Sequence, residues 1–178
     1  MLVTLISLVI LMLASVALVR STDTNLLLAG NVGFKRDVIN QAERAIPSIK
    51  TMFSTGVLST ATSRQTDLVS SNYYSSIQAN NSQGVPNVLM NITDGNANNI
   101  IDSNAQIIVR FVIDRMCLAS GVVSTTSCSL SQNTTDTGGD AGTDPWKSKG
   151  NELPVYRISI RATGPRNTES FLQYTFSD

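Results

Sequence analysis

The segment Leu2–Val19, LVTLISLVILMLASVALV, holds no charged side chain, and Arg20 is the first charge in the chain. Wound as a helix, its eighteen residues at 1.5 Å each span about 27 Å, close to the hydrocarbon thickness of a bilayer. Its only polar side chains are Thr4, Ser7 and Ser15, and a hydroxyl in a helix can bond back to the preceding turn. A helix of this length in a soluble core would show a polar stripe, which this one lacks. A membrane-inserted helix carrying a head is therefore expected.

Three forms of such a segment compete. A cleaved secretory signal needs a basic leader, a shorter apolar core and a small-residue cleavage site; no Lys or Arg precedes the run, and no A-x-A site is evident. An ordinary single-pass anchor takes its orientation from flanking positive charge, and none lies on the N-terminal side. A mature chain whose basic leader has been removed by a peptidase best accounts for an apolar run at residue 1. That form is the expectation.

Downstream, Val38, Ala42, Ala45, Ile49 and Met52 recur at helical spacing, flanked by Ile39, Ile46 and Phe53. Lys35, Arg36, Asp37, Glu43 and Arg44 take the other faces. The membrane helix thus runs on into an amphipathic one. Ser21, Thr22, Asp23 and Thr24 interrupt the junction, and Gly30 and Gly33 lower helix propensity beyond it. This is either a frayed membrane exit or a weak point that unwinds; in an assembled filament an irregular backbone is expected within Ser21–Gly33. Pro47 should kink or shorten the helix near Ala45, because it removes a backbone donor and crowds the preceding turn. The chain divides into a membrane or filament-core helix (1–20), its amphipathic continuation (21–55) and a β-rich head (56–178).

Thirteen basic and thirteen acidic residues balance, so no electrostatic footprint points to nucleic acid. The chain has no histidine. That removes the Ser-His-Asp and Cys-His nucleophiles and the usual zinc sites, and no catalytic residue, cofactor or enzyme activity is expected. Cys117 and Cys128 are the two cysteines. In an exported head a lone pair most often forms a disulfide, which is expected here over two reduced core thiols. The loop it closes would stabilise the head by roughly 3 kcal/mol.

In the head, Tyr156–Thr163 alternates apolar and polar residues, the mark of a half-buried strand. Gly164-Pro165-Arg166-Asn167 supplies turn chemistry. Leu172, Tyr174 and Phe176 then alternate again, giving an antiparallel hairpin. Ile107–Met116 reads as a third strand with Val109, Phe111 and Ile113 on one face, and Val88–Ile92 as a short strand. A sheet with one apolar face needs a cover, which the helix after Val38 supplies. The expected class is α+β, a long N-terminal helix on an antiparallel sheet. The polar stretch between Ser129 and Glu152 reads as a long loop, with Trp146 either anchoring it or serving a partner surface.

Asp94-Gly95-Asn96-Ala97-Asn98, with Asp102, has the alternating oxygens that open a calcium loop. Asn99 and Ala105 stand where that loop needs glycine and a bidentate glutamate, and metal-free Asx turns fit the same residues. Asn80, Asn91 and Asn133 lie in N-x-S/T sequons. Asp114 and Arg115, neighbours in a strand, read as a structural ion pair.

The uncharged N-terminal helix, then Arg20-Ser21-Thr22, Leu28-Ala29-Gly30-Asn31 and Gln41-Ala42-Glu43, resembles type IV pilins, and most closely the PilX-type minor pilins. Val112-Ile113-Asp114-Arg115-Met116-Cys117 and Arg161-Ala162-Thr163-Gly164-Pro165-Arg166-Asn167-Thr168 extend the resemblance to the middle and end of the chain. Most pilins carry a glutamate at the fifth mature position; with Met1 as the mature start that position is Leu5, and PilX-type and related tip pilins commonly lack the glutamate. The resemblance implies an inner-membrane subunit with a periplasmic head that later enters an extracellular pilus. It would help prime assembly near the tip, with other pilin subunits, a tip adhesin and the inner-membrane assembly machinery as partners. Ala14, Ser15 and Ala17 would let such helices approach closely. Alternatives are a main shaft subunit, a type II secretion pseudopilin, or a membrane-tethered binding domain that never polymerises.

Overall fold

The computed structural model describes residues 1–132, 152–165 and 168–178. Helix α1 runs from Leu2 to Glu43 and α2 from Ala45 to Ser54. A one-turn helix α3 spans Asn87–Met90. Six strands follow the order β1 (Tyr73–Tyr74), β2 (Ile100–Asp102), β3 (Ile107–Arg115), β4 (Leu130–Gln132), β5 (Glu152–Gly164) and β6 (Thr168–Ser177). They form one sheet, with β5 between β3 and β6. Asn133, Trp146 and the turn residues Arg166 and Asn167 lie outside the described residues.

The helix packs through one seam. Val38, Ala42, Ala45, Ile49 and Phe53 are buried, at spacings of four, three, four and four, which keeps them on one face. Phe53 takes the last position, and Met52 is only partly buried. Opposite them lie Ile107, Val109, Phe111 and Ile113 of β3 with Tyr156, Ile158 and Ile160 of β5. Burying each large apolar side chain stabilises the head by about 1.5–3 kcal/mol. At one end of the seam Phe53 meets Tyr156 and Phe176 edge-on, with ring centroids 4.8 and 5.0 Å apart. At the other end Val38 sits against Gly164, where a Cβ would come within 2.5 Å of the Val38 Cγ2.

The helix break falls at Arg44, which keeps right-handed helical angles of −62° and −19°, so the chain passes from α1 to α2 without leaving the helical path. Pro47 explains the position: it has no N–H for the Glu43 carbonyl four residues back. Ser21–Gly33, where a filament was expected to show irregular backbone, is helical throughout in the single chain. The hydroxyls there work within the helix, Thr22 Oγ1 donating to the Val19 carbonyl (2.7 Å) and Thr24 Oγ1 to that of Arg20 (2.9 Å).

Three strand expectations change. The sheet is mixed, because β1 runs parallel to β3 after a tight reversal at Asn72, whose φ is 55°. Val88–Ile92 is not a strand: Pro86 caps the turn α3, and Leu89 alone is buried in it. Strand β5 is covered on both faces, not one. Residues 75–90 cross the outer face, so Arg110, Val112, Asp114, Arg157 and Ser159 are buried as well.

That outer cover decides the ion pairing. Adjacent strand residues point to opposite faces, so Asp114 cannot meet Arg115. It is paired instead with Arg157, directly opposite on β5, through Nε (3.0 Å) and Nη2. The same carboxylate accepts the Gln78 amide at 3.1 Å. Arg115 donates to the carbonyls of Ser75 (3.0 Å) and Gly121 (2.8 Å). Cys117 and Cys128 are disulfide-bonded across eleven positions, beside this network.

Two expectations follow. Gly164→Ala should destabilise the head by about 1–3 kcal/mol through overpacking against Val38, read by thermal or denaturant unfolding of the full-length protein in detergent. Burial pushes the Tyr73 hydroxyl far above the ordinary phenol value of 10.0, and burial raises Tyr156 too. The folded state then holds protons that the unfolded chain releases, so stability is intact below about pH 10 and falls above it. Phenolate absorbance of these two tyrosines should appear together with loss of near-ultraviolet dichroism; independent titration of the folded protein would show the burial argument to be wrong.

Candidate functional site: the exposed apolar helix

Every side chain from Met1 to Asp37 is exposed, and Val38 is the first buried one. The exposed part of α1 therefore measures about 54 Å. Large apolar groups dominate its first half, with Leu5 at 68% and Leu11 at 70% exposure. One helix in the described residues is long and apolar enough to cross a membrane, and it is this one.

Its polar atoms are turned inward. Thr4 Oγ1 donates to the Met1 carbonyl (2.7 Å), Ser7 Oγ to that of Thr4 (2.9 Å) and Ser15 Oγ to that of Met12 (2.8 Å). In hydrocarbon an unpaired hydroxyl costs several kcal/mol, and these bonds leave none. Leu5 donates its amide to the Met1 carbonyl at 3.2 Å, and its side chain presents hydrocarbon alone.

The small residues do not form a single seam. At 100° per residue, Ser7, Ala14, Ala17 and Ser21 fall on one side, while Thr4 and Ser15 fall about a quarter-turn or more away. The expected group of Ala14, Ser15 and Ala17 is thus split between two faces.

A second apolar stretch lies beyond the first charge. Leu26, Leu27, Leu28 and Val32 are 45–71% exposed, and at 1.5 Å per residue Leu26 stands about 36 Å along the axis from Leu2. A bilayer core of about 30 Å cannot cover both ends of this surface. The Leu-Leu-Leu run past Arg20 was the sequence signal for it.

The Asp94–Asp102 segment is built from Asx turns. The Asp94 carboxylate is taken by Arg110. Asn96 Oδ1 accepts the Asn98 amide (2.9 Å). Asp102 Oδ1 accepts the amides of Asn104 (3.1 Å) and Ala105 (3.0 Å); the Ala105 bond leads in holding this carboxyl below its usual range, with Asn104 and Arg44 adding to it. No group of three His, Cys, Asp or Glu side chains converges among the described residues. Asn80 and Asn91 are exposed.

A charge in the middle of the apolar run tests its role. Leu11→Arg should cost about 2.5–3.5 kcal/mol of insertion free energy and move a large fraction of the protein from carbonate-washed membranes to the soluble fraction, whereas Leu11→Ile should stay with the membranes.

Comparison with family models, with curated proteins and with solved structures returned no match.

Proposed function

We propose that the chain is a structural subunit of a type IV pilin-like filament, a minor pilin that helps prime assembly near the tip. One observation carries the reading: a single helix serves two solvents. Its first half is apolar and wholly exposed, and its last turns, with α2, form the spine on which the sheet of the head is built. Before assembly the first half sits in the inner membrane with the head in the periplasm. During assembly it exchanges lipid for the helices of other pilin subunits, where packing drives association.

The second apolar stretch favours a polymer over a tether. A tethered binding domain would leave Leu26, Leu27, Leu28 and Val32 in water, above the bilayer. Neighbouring helices in a filament cover them. The partners are other pilins, the inner-membrane assembly machinery and a tip adhesin; no nucleic acid is involved.

The tip position rests on the absence of an acid in the apolar run; the first carboxylate, Asp23, lies beyond its end. Such a segment offers nothing to neutralise a terminal ammonium brought against it, and a buried unpaired charge costs several kcal/mol. A shaft would repeat that cost at every subunit, whereas a tip subunit bears it once. Immunogold labelling of the head on native filaments should place gold at or near one end. Regular labelling along the shaft would overturn the tip position, and absence from shed filaments would overturn the pilin reading itself.

A further inference from the structure

Strand β6 forms an edge of the sheet. It pairs with β5 in ten consecutive positions, from Gly164↔Thr168 to Val155↔Ser177, with no bulge, and among the described residues no strand lies on its other side. Every second residue therefore turns its N–H and C=O away from the sheet. Natural proteins guard such edges with Pro, Lys, bulges or inward charges. β6 has none of these: its one charge, Glu169, is held by Arg161 at 2.6 Å. Phe171 (41%) and Tyr174 (36%) remain exposed on it.

Both faces beside the edge are recessed. On the α2 side a 460 Å³ groove runs between Ile49 and Phe53 on the helix and Tyr174 and Phe176 on the strand. On the outer face a smaller recess of 170 Å³ lies between Val85 and Pro86 and the strand residues Phe171 and Gln173. A strand added at β6 would place successive side chains on alternate faces, one set in the groove and the next towards the recess. The outward backbone groups would supply affinity and the two recesses selectivity.

We infer that β6 is a docking edge for an extended segment of another polypeptide, apolar at alternate positions, which adds to the sheet as a further strand. The β6 of a second copy does not suit this edge. β6 runs in the same sense as the helix: Val38 lies at Gly164, whose partner Thr168 starts the strand, and Phe53 lies at Phe176 near its end. Antiparallel pairing of two β6 edges would point the two apolar helices in opposite directions, so they could not share one bilayer. Parallel pairing, around an axis along the strand, would set the groove side of one sheet level with the outer face of the other. The inference holds whether or not the chain polymerises.

Residue-resolved amide hydrogen exchange tests it, comparing the purified full-length chain in micelles with the same chain in native membranes and filaments. In micelles every second β6 amide should exchange almost without protection, and in the native setting those amides should gain about a hundredfold. A photo-reactive side chain at Gln173 should cross-link to one defined segment of another polypeptide. Phe171→Lys and Tyr174→Lys should abolish the gain while β3 and β5 amides keep their protection, which shows the head still folded. Full protection of β6 in the isolated chain, no gain in the native setting, or a cross-link to β6 of a second copy would each overturn the proposal.

Discussion

The rest of the molecule depends on the close approach of one helix to one sheet. Val38 can lie against Gly164 because that residue has no Cβ, and the helix then descends along β5 until Phe53 reaches Tyr156 and Phe176. Without this seam the sheet would present its apolar face to water, and residues 45–54 would be a helix too short to persist alone. The seam also aims the exposed half of the helix, since α1 carries both.

The outer face is organised by different means. There the buried groups are Arg110, Asp114, Arg157 and Ser159, and the chain from Ser75 to Leu89 is held over them by hydrogen bonds as well as by Leu89. Asp114 receives both Arg157 and the Gln78 amide, while Arg157 donates onward to the Gln78 carbonyl at 3.2 Å. Removing one partner of such a buried pair costs more than the pair contributes, because an uncompensated charge stays behind. Register is fixed in turn, since a slip of one residue would put Asp114 among Phe111 and Ile113.

Periodicity made the helix and the long strands legible. Tyr156–Thr163 alternates strictly, Ile107–Arg115 is a mostly apolar run that sets Val109, Phe111 and Ile113 on one face, and Val38–Phe53 repeats at helical spacing. What escaped had no period to read. β1 is two residues long, and its parallel sense follows from the reversal at Asn72. Val88–Ile92 is apolar enough for a strand, yet Pro86 starts a helical turn. The pairing of Asp114 with Arg157 is a long-range fact, forty-three positions apart, which the neighbouring Arg115 masked. Of the apolar helix, the sequence conveyed its extent and its satisfied hydroxyls; the division of small residues between two faces needed the helix geometry.

The alignment of helix and strands has a mechanical consequence. Tension applied through the exposed half of α1 acts nearly along β5 and β6, so it loads the ten β5–β6 rungs and the eight β3–β5 rungs in shear, together, instead of peeling them one after another. The same pull reaches the head first at Val38 and Gly164, where the packing is tightest. The head is thus clamped to its stem from the first buried residue onward, suited to holding its shape when pulled by it.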